Sequence, residues 1–123
     1  MSRIARRIVE LAVGILLGAT GVGCSPGAPR VLGQNPADAA ATLASVRQHP
    51  GSGTVTVSGV MIEKCPQAGC WFVIRDATGT LRVDTKTAGF VVVDIPLNQQ
   101  LTVAGQVITN GTEVLLAATG VRY

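Results

Sequence analysis

From Thr54 to the C-terminus, apolar and polar positions alternate in short runs, each closed by a turn signal. Val55 and Val57, Phe72 and Ile74, Leu81 and Val83, Leu101 and Val103, then Val114, Leu116 and Ala118 recur at period two. A strand points successive side chains to opposite faces, so this period predicts β-strands with one buried face. Strands are expected over Thr54 to Lys64, Cys70 to Arg75, Leu81 to Thr85, Gln100 to Ile108 and Glu113 to Val121. Asp76-Ala77-Thr78-Gly79 and Thr109-Asn110-Gly111 are turn signals between them, and Lys86 to Asn98 is too irregular for a long helix. Five strands in about 70 residues predict an all-β domain over residues 53–123, a small five-stranded antiparallel barrel. Gly59 and Gly105, each inside a long strand, fit that closure, because a strand that bends at glycine can serve both halves of a closing sheet. With Phe72, Ile74, Leu81 and Val83 inward, Trp71, Val73, Arg75, Arg82 and Asp84 face outward.

Ahead of the barrel the pattern changes. Asn35-Pro36-Ala37-Asp38 supplies a cap residue, a proline suited to the first helical position and an acid in the first turn. Ala39, Ala40, Leu43, Ala44 and Val46 then make a thin apolar stripe that His49-Pro50-Gly51 ends. One short helix is expected over residues 35–50, from about Pro36 to Gln48, packed on an end of the barrel. Residues 24–34 carry Pro26, Gly27, Pro29 and Gly33 with no apolar period, and predict a flexible tether. Arg3, Arg6 and Arg7 precede an apolar stretch from Ile8 to Val22 interrupted by Glu10, which has the form of an export signal and is short for a membrane span; ordinary secretion and an uncleaved anchor stand as the alternatives to the lipoprotein reading that follows. Its end, Gly21-Val22-Gly23-Cys24, resembles the processing site of bacterial lipoproteins, with Gly21 where such signals usually carry Leu. That resemblance implies removal of a signal peptide over residues 1–23, a lipid on Cys24, and an exported protein anchored to the cell membrane or outer membrane of the cell envelope.

Charge changes the picture by what it removes. The whole chain is formally +3, yet from Gly53 onward Lys64, Arg75, Arg82, Lys86 and Arg122 are balanced by Glu63, Asp76, Asp84, Asp94 and Glu113. Proteins that hold nucleic acid normally carry a basic excess in the binding domain itself, since phosphate neutralisation supplies most of the affinity. Nucleic-acid binding is therefore the third of three readings.

Three stretches together resemble the OB-fold pattern of the tRNA-anticodon-binding and helicase type: Val57-Ser58-Gly59-Val60, Phe72 through Val83, and Leu101 through Val107. They also resemble small uncharacterised exported bacterial OB-fold proteins that carry a Gly-Cys-Trp turn, here Gly69-Cys70-Trp71. The resemblance covers Thr54 to Val121 and implies the fold; OB barrels serve many ligands, so it leaves function open. It also implies that the outward surface of the second and third barrel strands takes ligands, which makes Trp71, Arg75 and Arg82 the candidate binding face, for a protein or a small anionic ligand; the alternative is that Trp71 caps the barrel end or packs over the cysteine pair. The periplasmic OB-fold haem chaperones attach haem through a histidine near the end of the barrel, and Ala117 to Tyr123 contains none.

Reactive chemistry is confined to one hairpin. Cys65 and Cys70 bracket Pro66-Gln67-Ala68-Gly69, and a loop of that length can bring its flanking residues opposite each other, close enough for a disulfide in an oxidising compartment. Kept reduced, the same pair would be a redox couple or a soft site for Cu(I), with Met61 as a further soft residue in the region. A third reading gives the thiols no special role. The spacing is not Cys-x-x-Cys and no second cysteine pair completes a zinc site, while His49, the single histidine, lies outside the hairpin. No nucleophile triad, His-Glu cluster or phosphate loop appears, so no enzyme and no resident cofactor is expected. The reading adopted is a non-enzymatic, lipid-anchored envelope OB-fold binding or accessory protein, with a thiol-based metal or redox protein as its alternative.

Overall fold

The computed structural model describes residues 29–51 and 53–123. The signal segment and Cys24 lie outside the described residues. Six strands and one helix follow in the order β1 (Val31–Gly33), α1 (Leu43–Gln48), β2 (Thr54–Lys64), β3 (Trp71–Asp76), β4 (Gly79–Asp84), β5 (Gln100–Asn110) and β6 (Glu113–Arg122). Neighbouring strands run β6-β4-β3-β2-β5, and a β5–β6 ladder closes the ring, so β2 to β6 form a five-stranded barrel. Closure removes the exposed edges that an open sheet of this size would carry. Every ladder is antiparallel except β4 with β6, which is parallel over Arg82 to Asp84 and Leu115 to Ala117.

The bend at Gly59 makes closure possible. Thr54 to Val60 pairs with β5, whereas Val60 to Lys64 pairs with β3, so one strand serves two ladders. A Cβ at Gly59 would stand 2.8 Å from the Arg75 carbonyl oxygen, and glycine alone allows the strands to approach so closely. The second register shift falls at Ala104/Gly105. Inward positions follow the alternation: Val57, Met61, Phe72, Ile74, Leu81, Val83, Leu101, Val103, Leu116 and Val121 are all buried in one cluster. Each such side chain contributes about 1.5–3 kcal/mol by leaving water.

The barrel is stoppered at both ends. At the end of the β3–β4 turn, α1 inserts Leu43 and Val46. At the end where β2 passes into β3, the irregular connection between β4 and β5 inserts Val92 and Ile95, both fully buried. Lys64 holds that connection, its ammonium donating to the carbonyls of Val93 and Ile95.

Two expectations ahead of the barrel are corrected. The helix begins at Leu43 with Thr42 as its N-cap, the Thr42 side chain accepting from the Ser45 N–H. Asn35 is no cap: Arg122 donates to its side-chain oxygen and to the Pro36 carbonyl, and Ala40 and Ala41 donate to Thr56, so residues 35–41 lie along the barrel instead of coiling. The expected tether over residues 24–34 is also too long. Val31 to Gly33 forms β1, paired with Gly120 to Arg122, and Arg30 and Tyr123 exchange both backbone hydrogen bonds. β4 leaves the β6 edge at Ala117, and the open backbone groups beyond it find their partners in β1. Among the described residues no helix is long and apolar enough to cross a membrane.

Candidate functional site

Two sites emerge, one on the outer wall of β3 and β4 and one at the hairpin between β2 and β3. On the wall, alternation places Trp71, Val73 and Arg75 of β3 and Thr80, Arg82 and Asp84 of β4 outward, opposite the buried Phe72, Ile74, Leu81 and Val83. Val73 is the cross-strand partner of Arg82, and Trp71 that of Asp84. The Arg82 guanidinium therefore reaches diagonally and lies over the Trp71 ring, 4.8 Å from its centroid. Arg75 stands opposite Thr80 further along the strand and takes no part in that stack.

Beside the stack runs a groove of about 580 Å³. Its walls are α1, through Ala44, Arg47 and Gln48, and the β5–β6 turn with the start of β6, through Thr112 and Glu113; Val73, Thr80 and Arg82 contribute from the barrel. The sequence marked Arg82 here and missed Arg47, a basic residue in the last turn of a helix whose docking is set by contacts far along the chain. The β3–β4 turn performs that docking. Asp76 accepts from the Leu43 N–H at 3.0 Å, and the Thr78 hydroxyl from the Ala44 N–H at 3.0 Å, so two orphan donors of the first helical turn are capped from another element. Burial pushes the Asp76 carboxyl up, but the donors on Leu43, Thr78 and Gly79 outweigh it and hold the group below its ordinary value.

At the hairpin, the expected Cys65–Cys70 bridge is not formed: both are free, partly exposed thiols. Register keeps the two out of one cross-strand pair. β2 and β3 pair Lys64 with Phe72, and the Cys65 N–H donates to the Trp71 carbonyl at 3.0 Å, so Cys65 stands opposite Trp71. Cys70 lies outside that ladder, its carbonyl taken by the Thr85 N–H. The thiols nevertheless meet. The Cys70 S–H donates to the Cys65 sulfur, which also accepts from the backbone N–H groups of Ala68 and Gln67. The Ala68 and Gln67 donors, with Cys70, hold the Cys65 thiol down to about 7 against its partial desolvation. Donation to Cys65, and then desolvation, push Cys70 up.

The turn that carries this pair is braced from outside. The Gly69 carbonyl accepts from the Thr85 hydroxyl at 3.2 Å and from the Val92 N–H at 3.1 Å. Met61, the other soft side chain of the region, is fully buried in the core. Among the described residues no group of three or more His, Cys, Asp or Glu side chains is placed to hold a metal. An open depression of about 470 Å³ adjoins the hairpin, lined by Cys70, Thr85, Lys86, Gly89, Phe90 and Val91.

Compared by sequence, the chain matches no family model and no curated protein. Compared by structure, it is similar to the hypothetical protein ygiW from E. coli, with a TM-score of 0.56 and 20% identity, covering 71% of this chain and 91% of that one. At that identity the likeness shows the fold alone, a small OB-fold-like barrel.

Proposed function

We propose that this chain is a non-enzymatic binding module of the cell envelope, tethered through a lipid on Cys24, that takes a small anionic ligand in the groove beside Trp71. The observation that carries the reading is the Arg82 guanidinium stacked on Trp71 at the edge of a groove whose opposite wall presents Arg47. A guanidinium held over an indole leaves edge donors free, of which a carboxylate or phosphate can take two at once. Thr80 and Gln48 add neutral donors, and Val73 an apolar floor. A cleft of this volume is of the size that holds small molecules.

The neutral domain and the small number of aromatic residues argue against a stacking platform for single-stranded nucleic acid. With β1 paired to β6, only the chain from Cys24 to Pro29 separates a lipid from the barrel, a span of at most about 20 Å when fully extended. The anchor would thus keep the β1–β6 edge close to the membrane.

Trp71 is the sole tryptophan, so its fluorescence reports directly on the groove. Titration with small carboxylates and phosphate esters is expected to give a saturable change that Arg82→Ala and Arg47→Ala each weaken by about tenfold, the loss of one charge-assisted contact. A response identical in both variants would overturn the site. The anchor is tested separately: Cys24→Ala should move the protein out of the membrane fraction.

A further inference from the structure

We infer that Cys65 and Cys70 form a two-coordinate site for Cu(I), in which the cuprous ion is held between the two sulfurs. The inference does not depend on the groove or its ligand. Three observations lead to it. Both thiols are free and partly exposed, and one tight turn brings them together: Cys65 stands opposite Trp71, the neighbour of Cys70, the Gly69 N–H closes the turn onto the Cys65 carbonyl at 3.2 Å, and the Cys70 S–H is directed to the Cys65 sulfur. The turn beneath them is held by Thr85 and Val92, which removes the ordering cost a flexible dithiol loop would pay on binding.

Coordination number then selects the metal. Structural Zn(II) wants four donors in a tetrahedron, and among the described residues no third or fourth donor joins the pair. Ca(II) and Mg(II) want oxygens. Cu(I) is a soft closed-shell ion that thiolates prefer and that two sulfurs in line can satisfy. The surroundings complete the case. The backbone N–H groups of Gln67 and Ala68 already point at the Cys65 sulfur and would remain as outer hydrogen bonds to a coordinated thiolate. A bis-thiolate cuprous complex carries one net negative charge, and Lys86 lines the depression next to Cys70. Lys64 cannot play that part, because its ammonium is committed to Val93 and Ile95. Phe90 and Val91 supply an apolar flank beside Cys70.

The step balances without electron transfer. Two S–H bonds break, two Cu–S bonds form, two protons go to solvent, and copper enters and stays as Cu(I). No disulfide is made and no oxidant is needed.

The test uses the full chain carrying Cys24→Ala, which leaves Cys65 and Cys70 as its only thiols. The reduced protein is titrated anaerobically with Cu(I) against the coloured competitor bicinchoninate. One Cu(I) per chain should be withdrawn from the competitor, X-ray absorption should show two sulfur ligands, and Zn(II) should be held far more weakly. Cys65→Ser and Cys70→Ser should each abolish the withdrawal while keeping the parent's urea midpoint. Lys86→Glu, at an exposed position that touches no ligand, should weaken it by roughly tenfold, as losses of outer-shell partners do. Withdrawal that survives the double serine variant would overturn the site, as would Zn(II) held as tightly as Cu(I). Recovery of the exported chain with a Cys65–Cys70 disulfide that added Cu(I) does not prevent would overturn it as well.

Discussion

The guanidinium of Arg82 rests 4.8 Å from the centre of the Trp71 ring, on the outward face of two strands whose inward faces are fully buried. The stack joins two neighbouring strands diagonally across the Val73–Arg82 pair. A cation over an indole at a partly exposed site stabilises by about 0.5–1 kcal/mol. Arg82→Ala should therefore lower the urea midpoint slightly and change the emission of the single tryptophan, while Arg75→Ala, outside the stack, should leave the emission unchanged. Equal spectra for Arg82→Ala and the parent would mean the stack is not held in solution.

Asp76 ties the helix to the barrel, and it should make stability depend on pH in acid. Its folded value is lowered, so its contribution is complete above the unfolded value of about 3.9 and is lost as pH falls through the folded one. Asp76→Asn should cost about 1 kcal/mol at neutral pH, the worth of a helix cap, and the gap from the parent should narrow below about pH 4. Denaturant melts at pH 7 and pH 3 measure both. A gap that widened in acid would contradict the sign.

The barrel and its two faces were legible because period-two alternation is written locally, residue by residue, in β3, β4, β5 and β6. What stayed hidden depends on partners remote in sequence. Asn35-Pro36-Ala37-Asp38 has the local form of a helix start, but Arg122, 86 residues beyond Pro36, takes its acceptors and holds it extended. Val31 to Gly33 has no periodicity of its own and becomes a strand only because β6 continues past the end of β4. The cysteine register was missed by one step for a related reason. A bulge between Met61 and Glu63 shifts the ladder so that Lys64 faces Phe72, and the thiols then meet through the turn instead of across the strands. Trp71 and Arg82 could be placed on one face from the sequence, whereas Arg47 reaches the groove through a helix docked by Asp76 and Thr78.

The two thiols should differ in reactivity in the metal-free chain. Lowering a thiol's value raises its thiolate fraction at a given pH, and the thiolate is the nucleophile. Cys65, held down to about 7, should be alkylated by iodoacetamide with a rate that rises through a midpoint near pH 7. Cys70 should lag behind it, with its rise displaced to higher pH. Peptide mass mapping after short exposures at several pH values separates the two. In Cys65→Ser the hydrogen bond that pushes Cys70 up is altered, so the Cys70 profile should move toward that of an ordinary thiol. Indistinguishable profiles for the two residues in the parent would remove the asymmetry.

Gly69 decides whether the hairpin and the β4–β5 connection can lie together. Its φ is +60°, and a Cβ there would stand 2.6 Å from the Val93 nitrogen, a contact with backbone that no side-chain rotation relieves. Gly111, in the β5–β6 turn, has a similar φ of +64° with nothing within 4 Å of the corresponding Cβ. The pair separates two costs of the same substitution. Gly111→Ala carries the left-handed backbone penalty alone, about 1–2 kcal/mol. Gly69→Ala carries that penalty and also forces the connection away, loosening the Val92 N–H bond to the Gly69 carbonyl and the seat of Val92 in the core. It should cost more than Gly111→Ala by at least about 1 kcal/mol, the worth of one backbone hydrogen bond left poorly made. Hydrogen exchange should locate the difference, with the Val92 and Thr85 amides losing protection in Gly69→Ala and keeping it in Gly111→Ala. Equal destabilisation by the two substitutions would mean that the connection is not packed on the cysteine turn, and the rigidity attributed to the thiol pair would go with it.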